Sequence, residues 1–202
     1  ALSSNVQKKI DVIGNPIDDA YFISRDEKVS NSGELRIVTC ALISRKKRID
    51  RAIALVDGLK KLGKSVHLSV IGPNVDPLYM RELDKQVVEL GLVNEVSFFG
   101  RLNRSEIINE YQKSDLGVFF SAQETFGLAP LEMMASGLPL LTTEVGILHE
   151  RKVVFRRLGV KYAEGEFSDK QLNTIASLQS VDNRALLQYL KHEFTAAGII
   201  AS

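Results

Sequence analysis

The sequence is poor in reactive side chains: one cysteine, three histidines and no tryptophan occur in 202 residues. Cys40 lies inside an apolar run with no second cysteine to pair with, which excludes a disulfide framework and a cysteine metal site; a reducing, cytosolic compartment is the expectation. His67, His149 and His192 are scattered, with neither metal-ligand spacing nor a catalytic partner beside them, and read as structural. No Asp-x-Asp triplet occurs, so a metal-bridged diphosphate site of the kind such triplets build is not supported, and no metal or other cofactor is expected. Charge of one sign is also missing: 26 lysines and arginines face 25 aspartates and glutamates, for a net charge of +1. There is then no global field to gather nucleic acid or an anionic membrane, and any anion site must be local. Apolar runs fall short of the roughly 18 to 20 residues that span a bilayer, and the opening ALSSNVQKKI has no signal-peptide core, so a soluble chain without a transmembrane segment is expected. Internal repeats and low-complexity tracts are lacking as well.

What is present is an alternation. LRIVTC (Leu35 to Cys40) is β-branched and continuous, as a strand buried on both faces would be. Ile49, Ala52, Ile53, Val56, Leu59 and Leu62 then recur at helical spacing, with Gly63 just past the end as a C-cap. The unit repeats as VHLSVIG, a helix from about Pro77 to Leu90, the strand VSFFG and a helix from about Ser105 to Lys113. Strands LGVFF and LPLLTT follow, separated by a helix from about Leu128 to Ser136. A short strand near Val160 to Tyr162 and two polar-faced helices, about Ser168 to Leu178 and Asn183 to Phe194, complete the pattern. Such β-α-β units predict an α/β, Rossmann-like, mostly parallel sheet with helices on both faces. The polar, turn-rich SRDEKVSNSGE reads as a linker between a strand-like piece at Ile10 to Ile13 and the main sheet.

Ligands of open parallel sheets bind beyond the carboxyl ends of the strands, which directs attention to the loops after Cys40, Ile71, Phe99, Phe120 and Thr143. After the first strand, Arg45, Lys46, Lys47 and Arg48 crowd the start of a helix, where cations oppose the helix dipole unless an anion is bound; the cluster is either a phosphate clamp or a solvated turn. ALISRKK contains no glycine, which disfavours a nicotinamide-cofactor site. After LGVFF comes SAQETFGLAPLEMMASG, with Glu124 in the loop and Glu132 about two turns on. Gly127 and Pro130 suit a tight helix start, and the amides of Phe126, Gly127 and Leu128 are placed to meet phosphates or sugar hydroxyls. Glu132, amid packed neighbours, needs a polar partner, and a ribose diol would supply one. Weaker signals are Gly100, Arg101 and Leu102, where a base could lie against backbone, and Gly146 in a loop of unobstructed amides.

From about Val12 to Glu150 the chain resembles the C-terminal domain of the group 1 glycosyltransferases, also called glycosyltransferase family 4, which have the two-domain GT-B fold. ETFGLAPLEMMASGLPLL corresponds to the family's Glu-x7-Glu motif with the strand after it. VIGNPIDDAYF is similar to the interdomain Asn-Gly-Val-Asp segment, and Lys47 to Asp50 is similar to a Lys-Gly-x-Asp run. The resemblance implies that Lys47 pairs with the donor diphosphate and that Glu124 contacts the hydroxyls of the transferred sugar; Glu132 would hold the ribose. The Phe126 to Leu128 amides would face sugar and phosphate, and Gly100 to Leu102 would line the base. It further implies retaining transfer from a nucleotide-diphosphate sugar, a hexose, to a glycan or lipid-linked acceptor without an essential metal, as in polysaccharide biosynthesis.

The sequence departs from that pattern in places. Ala41 and Leu42 stand where the family has a Gly-Arg pair, leaving Arg45, Lys46 and Arg48 as candidate replacements for the cation. Ile147 follows Gly146 where a second glycine is usual, and Pro16 replaces a glycine. On this reading residues 1–202 form one donor-binding domain, with 1–34 as interdomain segment and linker. The family's N-terminal acceptor domain has no counterpart before Ile10, so a donor-binding fragment that transfers poorly by itself is expected. The parent enzyme would act in the cytoplasm, at the inner membrane face through that other domain. A stand-alone nucleotide-sugar binding module and a GT-B sugar-nucleotide epimerase are the alternatives; a phosphorylase lacks its cofactor-lysine motif, and a nucleic-acid role finds no aromatics interleaved with the basic run.

Overall fold

The computed structural model describes residues 15–23, 33–176 and 183–195. The strand expected at Ile10 to Ile13, and nearly all of the linker that follows, lie outside these residues. Six strands form one parallel sheet: β1 (Glu34–Cys40), β2 (Ser65–Ile71), β3 (Val96–Gly100), β4 (Leu116–Phe119), β5 (Leu140–Thr142) and β6 (Lys161–Tyr162). Their order is β3-β2-β1-β4-β5-β6. The helices are α1 (Ile49–Lys61), α2 (Pro77–Glu89), α3 (Arg104–Lys113), α4 (Leu128–Ala135), α5 (Ile147–Glu150), α6 (Lys152–Arg157), α7 (Asp169–Ala176) and α8 (Arg184–Phe194).

Side chains alternate across the pleat and build a core on each face. Leu35 and Ile37 of β1 pack with Ile53 and Leu59 of α1, Leu83 of α2 and Leu172 of α7. Val38, the next residue, points the other way, toward Leu131 and Met133 of α4, Phe155 of α6 and Leu190 of α8. All four residues of β4 are buried, which explains why its sequence reads as a continuous apolar run. The helices begin where local chemistry supplies caps. Asp76 accepts the Tyr79 amide at 3.0 Å at the start of α2, and Asn103 and Glu106 form a reciprocal capping box on α3.

The α/β architecture, the parallel sheet and the helices on both faces are those expected from the alternating pattern. Two helices were not expected: α5 and α6 occupy TTEVGILHERKVVFRR, each too short to display a 3.6-residue period, with Arg151 between them out of helical geometry at φ −106° and ψ 20°. The helix behind the Glu-x7-Glu stretch starts at Leu128, so Glu132 stands about one turn into it, near 6 Å along the axis.

Strand order reverses between β1 and β4. From β1 the chain builds outward through β2 to β3, and from β4 it builds in the opposite direction through β5 to β6. The loops leaving β1 and β4 thus diverge to opposite faces and leave a crevice between them. On the β2 side of β1, Gly72 takes φ +140°, and a Cβ there would lie 1.9 Å from the Ala41 carbonyl oxygen. Ala41 N–H donates to the Ile71 carbonyl at 2.9 Å, and Ile43 N–H to the Pro73 carbonyl at 3.0 Å, so the end of β1 and the loop after β2 run backbone against backbone. Gly72→Ala should therefore lower the urea midpoint by an amount equivalent to about 2 to 4 kcal/mol, with an unchanged denaturant slope; an unshifted midpoint would show that the two loops separate freely.

Candidate functional site

The crevice contains a cleft of about 280 Å³ lined by residues that include Asn15, Cys40, Leu42, Lys47, Glu124 and Phe126 to Ala129. Lys47 reaches it from a 3-10 turn, Arg45–Lys47, that the chain makes before α1. Glu124 reaches it from the loop after β4. The two side chains meet in an ion pair between Lys47 Nζ and Glu124 Oε1, with only 19% and 15% of the respective side-chain surfaces exposed. The ammonium also lies 5.6 Å from the centre of the Phe119 ring, at the end of β4. An ammonium carries three donors and the pair uses one, so the geometry leaves a shielded cation able to take further oxygen ligands.

Beside the pair, Gly127 takes φ +100° and ψ 64° and turns the chain into α4 with no side chain capping the helix start. The first amides of α4 and its dipole thus open onto the same cleft as Lys47, an arrangement that favours an anion. Leu128 is 37% exposed at the rim. The Phe126 ring is turned inward, edge-on to Phe194 at 6.3 Å. Its carbonyl accepts the Ile147 amide at 2.8 Å, which removes that amide from the open set expected around Gly146. Gly146 itself packs beneath the Glu124 loop: a Cβ there would meet Phe126 O at 2.3 Å and Glu124 Cβ at 3.2 Å. It acts in the structure as a spacer-free contact supporting the loop above it.

Glu132 is outside the cleft lining but close behind it. Burial raises its carboxyl above the ordinary value of 4.5, while Arg104 pulls it down and Asp18 pushes it up. Its field in turn helps raise the Cys40 thiol, pushed to about 11 mainly by burial, and the Tyr21 phenol, pushed to about 12. A thiol so raised stays protonated at neutral pH, so Cys40 is a wall of the cleft and a poor nucleophile. Arg104 is itself paired with Asp18 at 2.8 Å, which ties α3 to the segment leading into the domain.

The remaining candidates are placed elsewhere. Arg48 adopts a left-handed conformation, φ 51° and ψ 47°. Its guanidinium lies on the Asp50 carboxylate at 3.2 Å and lines a separate cleft with Arg51 and Gly165. Arg45 pairs with Glu82 and lies over the Tyr79 ring, and Lys46 is exposed. Of the basic run, Lys47 alone lines the cleft. Gly100 ends β3 and Arg101 and Leu102 follow it, two strands from β1, or about 10 Å by the strand spacing; the Gly100 carbonyl accepts the Gly72 amide at 2.8 Å. Asn15, Cys40 and Phe119 line or floor the cleft, although the sequence reading assigned none of them a role at the site. Cys40 and Phe119 could have been found from their position at the carboxyl ends of the two strands that flank the reversal. Among the described residues no cluster of three or more His, Cys, Asp or Glu side chains is arranged to hold a metal ion, and no helix is long and apolar enough to cross a membrane.

Comparison with known proteins gives these elements a context. The chain is 34% identical over 97 residues to a mannosylfructose-phosphate synthase of Agrobacterium fabrum, covering 44% of this chain and 21% of that protein. It is 28% identical over 143 residues to the O-antigen chain mannosyltransferase RfbU of Salmonella typhimurium, covering 71% and 38%. Its fold superposes on Anabaena Alr3699/HepE, solved with UDP and glucose, at a TM-score of 0.74 and 20% identity, over 94% of this chain and 54% of the other. The chain thus spans well under two thirds of the length of each. A family model described as glycosyl transferases group 1 matches residues 22–151, a stretch that holds both members of the Lys47–Glu124 pair, and the chain belongs to that family.

Proposed function

We propose that the cleft at the reversal of strand order holds the diphosphate and sugar of a nucleotide-diphosphate sugar, and that the longer protein to which this domain contributes transfers the sugar to an acceptor. The observation that carries this reading is the convergence of a shielded lysine, a carboxylate and an uncapped helix start on one cleft. The relatives' mannosyl chemistry, and the UDP and glucose held by the Anabaena protein, favour a hexose on a nucleoside diphosphate as the donor class.

In this reading Lys47 and the first amides of α4 face the diphosphate. As the bond from the anomeric carbon to the diphosphate oxygen breaks, the electron pair stays on that oxygen, and fixed positive groups stabilise the leaving group most where the charge develops. Neutralisation falls to these groups without an essential metal, and configuration at the anomeric carbon is retained. Glu124, released from Lys47 as the phosphates replace it, accepts hydrogen bonds from the sugar hydroxyls. Glu132, behind Cys40, accepts from the ribose, and Gly100 to Leu102 lie farther out, toward the base. Domain closure by an N-terminal acceptor-binding domain would exclude water and bring the acceptor in line, so the isolated domain binds donor but transfers little. The parent protein would work in the cytoplasm, at the inner membrane face.

Calorimetric titration with UDP, GDP and ADP, without metal and again with chelator, tests this reading. One nucleotide should bind, with chelator having no effect, and Lys47→Ala and Glu132→Ala should each weaken it about tenfold, the loss of one charge-assisted contact. Absence of binding for all three at millimolar concentration would overturn it. Glu132 also makes a stability prediction. Because burial raises its folded value above 4.5, the folded chain holds this proton more tightly than the unfolded chain does; the stability this brings is complete below the unfolded value and is lost as pH rises through the folded one. Glu132→Gln should therefore melt above the wild type at neutral pH, with the gap closing as pH falls through the raised folded value toward 4.5, even though nucleotide binding is weakened. Parallel melting curves across that range would refute the burial argument.

A further inference from the structure

Lys47 and Glu124 come from loops that leave neighbouring strands on diverging paths, and their separation must be set by something other than the sheet. One fully buried side chain lies at that junction. The Ser121 hydroxyl, at 0% exposure, is 3.2 Å from the Lys46 carbonyl and 2.8 Å from the Gln123 carbonyl. Those carbonyls belong to the residues immediately before Lys47 and Glu124. The Ala122 amide donates to the same Lys46 oxygen at 2.7 Å, and the Ser121 carbonyl accepts from the Thr143 hydroxyl at 2.6 Å. Three loops, those after β1, β4 and β5, are therefore pinned through this one residue and its neighbour.

A hydroxyl has a single proton, so Ser121 donates chiefly to the nearer Gln123 carbonyl and makes a longer, weaker contact with Lys46. Both acceptors are main-chain groups, and shifting either moves the α-carbon of the residue that follows it. We propose that Ser121 is the positioning residue of the site, fixing where the Lys47 ammonium stands relative to the Glu124 carboxylate and so setting the preference for a diphosphate bearing a sugar. This rests on the donor-site reading above. Ser121 touches neither ligand group in that reading; it acts through the backbone of the two loops. Thr could retain the hydroxyl at the same place, whereas Ala leaves the Gln123 carbonyl without that donor and the Lys46 carbonyl with the Ala122 amide alone.

The test uses two affinity ratios measured calorimetrically on the 202-residue chain. The first compares the nucleoside diphosphate that binds with the matching monophosphate and reports on Lys47. The second compares the nucleotide sugar with the nucleoside diphosphate and reports on Glu124. Ser121→Ala should lower both ratios about tenfold, the size expected when a binding group drifts from its productive geometry, while leaving monophosphate affinity within about twofold. Ser121→Thr should restore both ratios. Ser69→Ala, a substitution at a buried serine of β2 remote from the cleft, should lower the melting temperature and leave both ratios unchanged. Should Ser121→Ala fail to fold, Ser121→Cys, a weaker donor of similar size, should move the ratios in the same direction. Ratios equal to wild type in a folded Ser121→Ala or Ser121→Cys chain would overturn the proposal, reducing Ser121 to packing. A wild-type chain that binds none of the nucleoside diphosphates would instead overturn the donor-site reading, and this proposal with it.

Discussion

Everything at the site follows from the seam between β1 and β4. A parallel sheet of order β3-β2-β1-β4-β5-β6 sends its chain to opposite faces on the two sides of that seam, and the loops diverge because right-handed crossovers leave them no alternative. Divergence makes room for a ligand, but it also removes the neighbouring strand's hydrogen bonds from the loops at the point where they must be most rigid. Backbone groups there need other partners. They find them across the seam: the Ala122 amide and the Ser121 hydroxyl meet the Lys46 carbonyl, and Thr143 from the β5 loop meets Ser121. Thr142, fully buried, adds a bond from its hydroxyl to the Phe119 carbonyl at 2.9 Å. The opening is held by a band of short polar contacts between small side chains and main chain.

Within that frame the Lys47–Glu124 pair solves a problem of charge. A lone ammonium or carboxylate sheltered this far from water would be costly, and each compensates the other. A mutually paired cation and anion are also easily exchanged for a ligand that presents the opposite charges in the same order. Phosphate oxygens can replace the carboxylate at Lys47, and hydroxyl donors can replace the ammonium at Glu124. The pair therefore holds both side chains in place at little cost in stability, which is the sense in which the cleft would be prepared in advance for the donor proposed above.

The strands, the long helices and the class of fold were legible because hydrophobic period carries them: α1 reads at Ile49, Ala52, Ile53, Val56 and Leu59, all buried, and β4 reads as an unbroken apolar run. The short helices α5 and α6 were not, since one turn holds no period and the charges of HERKVVFRR mask the buried Phe155. At the site, the stretch around Glu124 announced itself by motif and glycine placement. Ser121 did not, because a serine next to a strand end looks like turn chemistry until both carbonyls it touches are known. Lys47 could not be separated from Arg45, Lys46 and Arg48 by composition either; three-dimensional partners do that, with Glu82 claiming Arg45 and Asp50 claiming Arg48.

The partition of that basic run has its own mechanical cause. Arg48 stands at the glycine position of the Lys-Gly-x-Asp run that Lys47 to Asp50 resembles, and it is the one non-glycine residue among those described with a positive φ, 51°. A left-handed conformation costs an arginine about 1 to 2 kcal/mol relative to the right-handed one. It is what allows the chain to leave a 3-10 turn and enter α1 within a single residue. The kink sends the consecutive side chains of Lys47 and Arg48 apart, one into the crevice and one onto Asp50. A glycine would make the same turn with less strain but would supply nothing to the carboxylate of Asp50, which here takes the Arg48 guanidinium and, at 2.6 Å, the Tyr79 hydroxyl of α2. The arginine thus offsets part of its own strain by pairing with Asp50 in the first turn of α1, while Asp50 itself joins α1 to α2 through Tyr79 on the side away from the site, and the direction of Lys47 is set by backbone geometry on one side of it and by the seam contacts on the other.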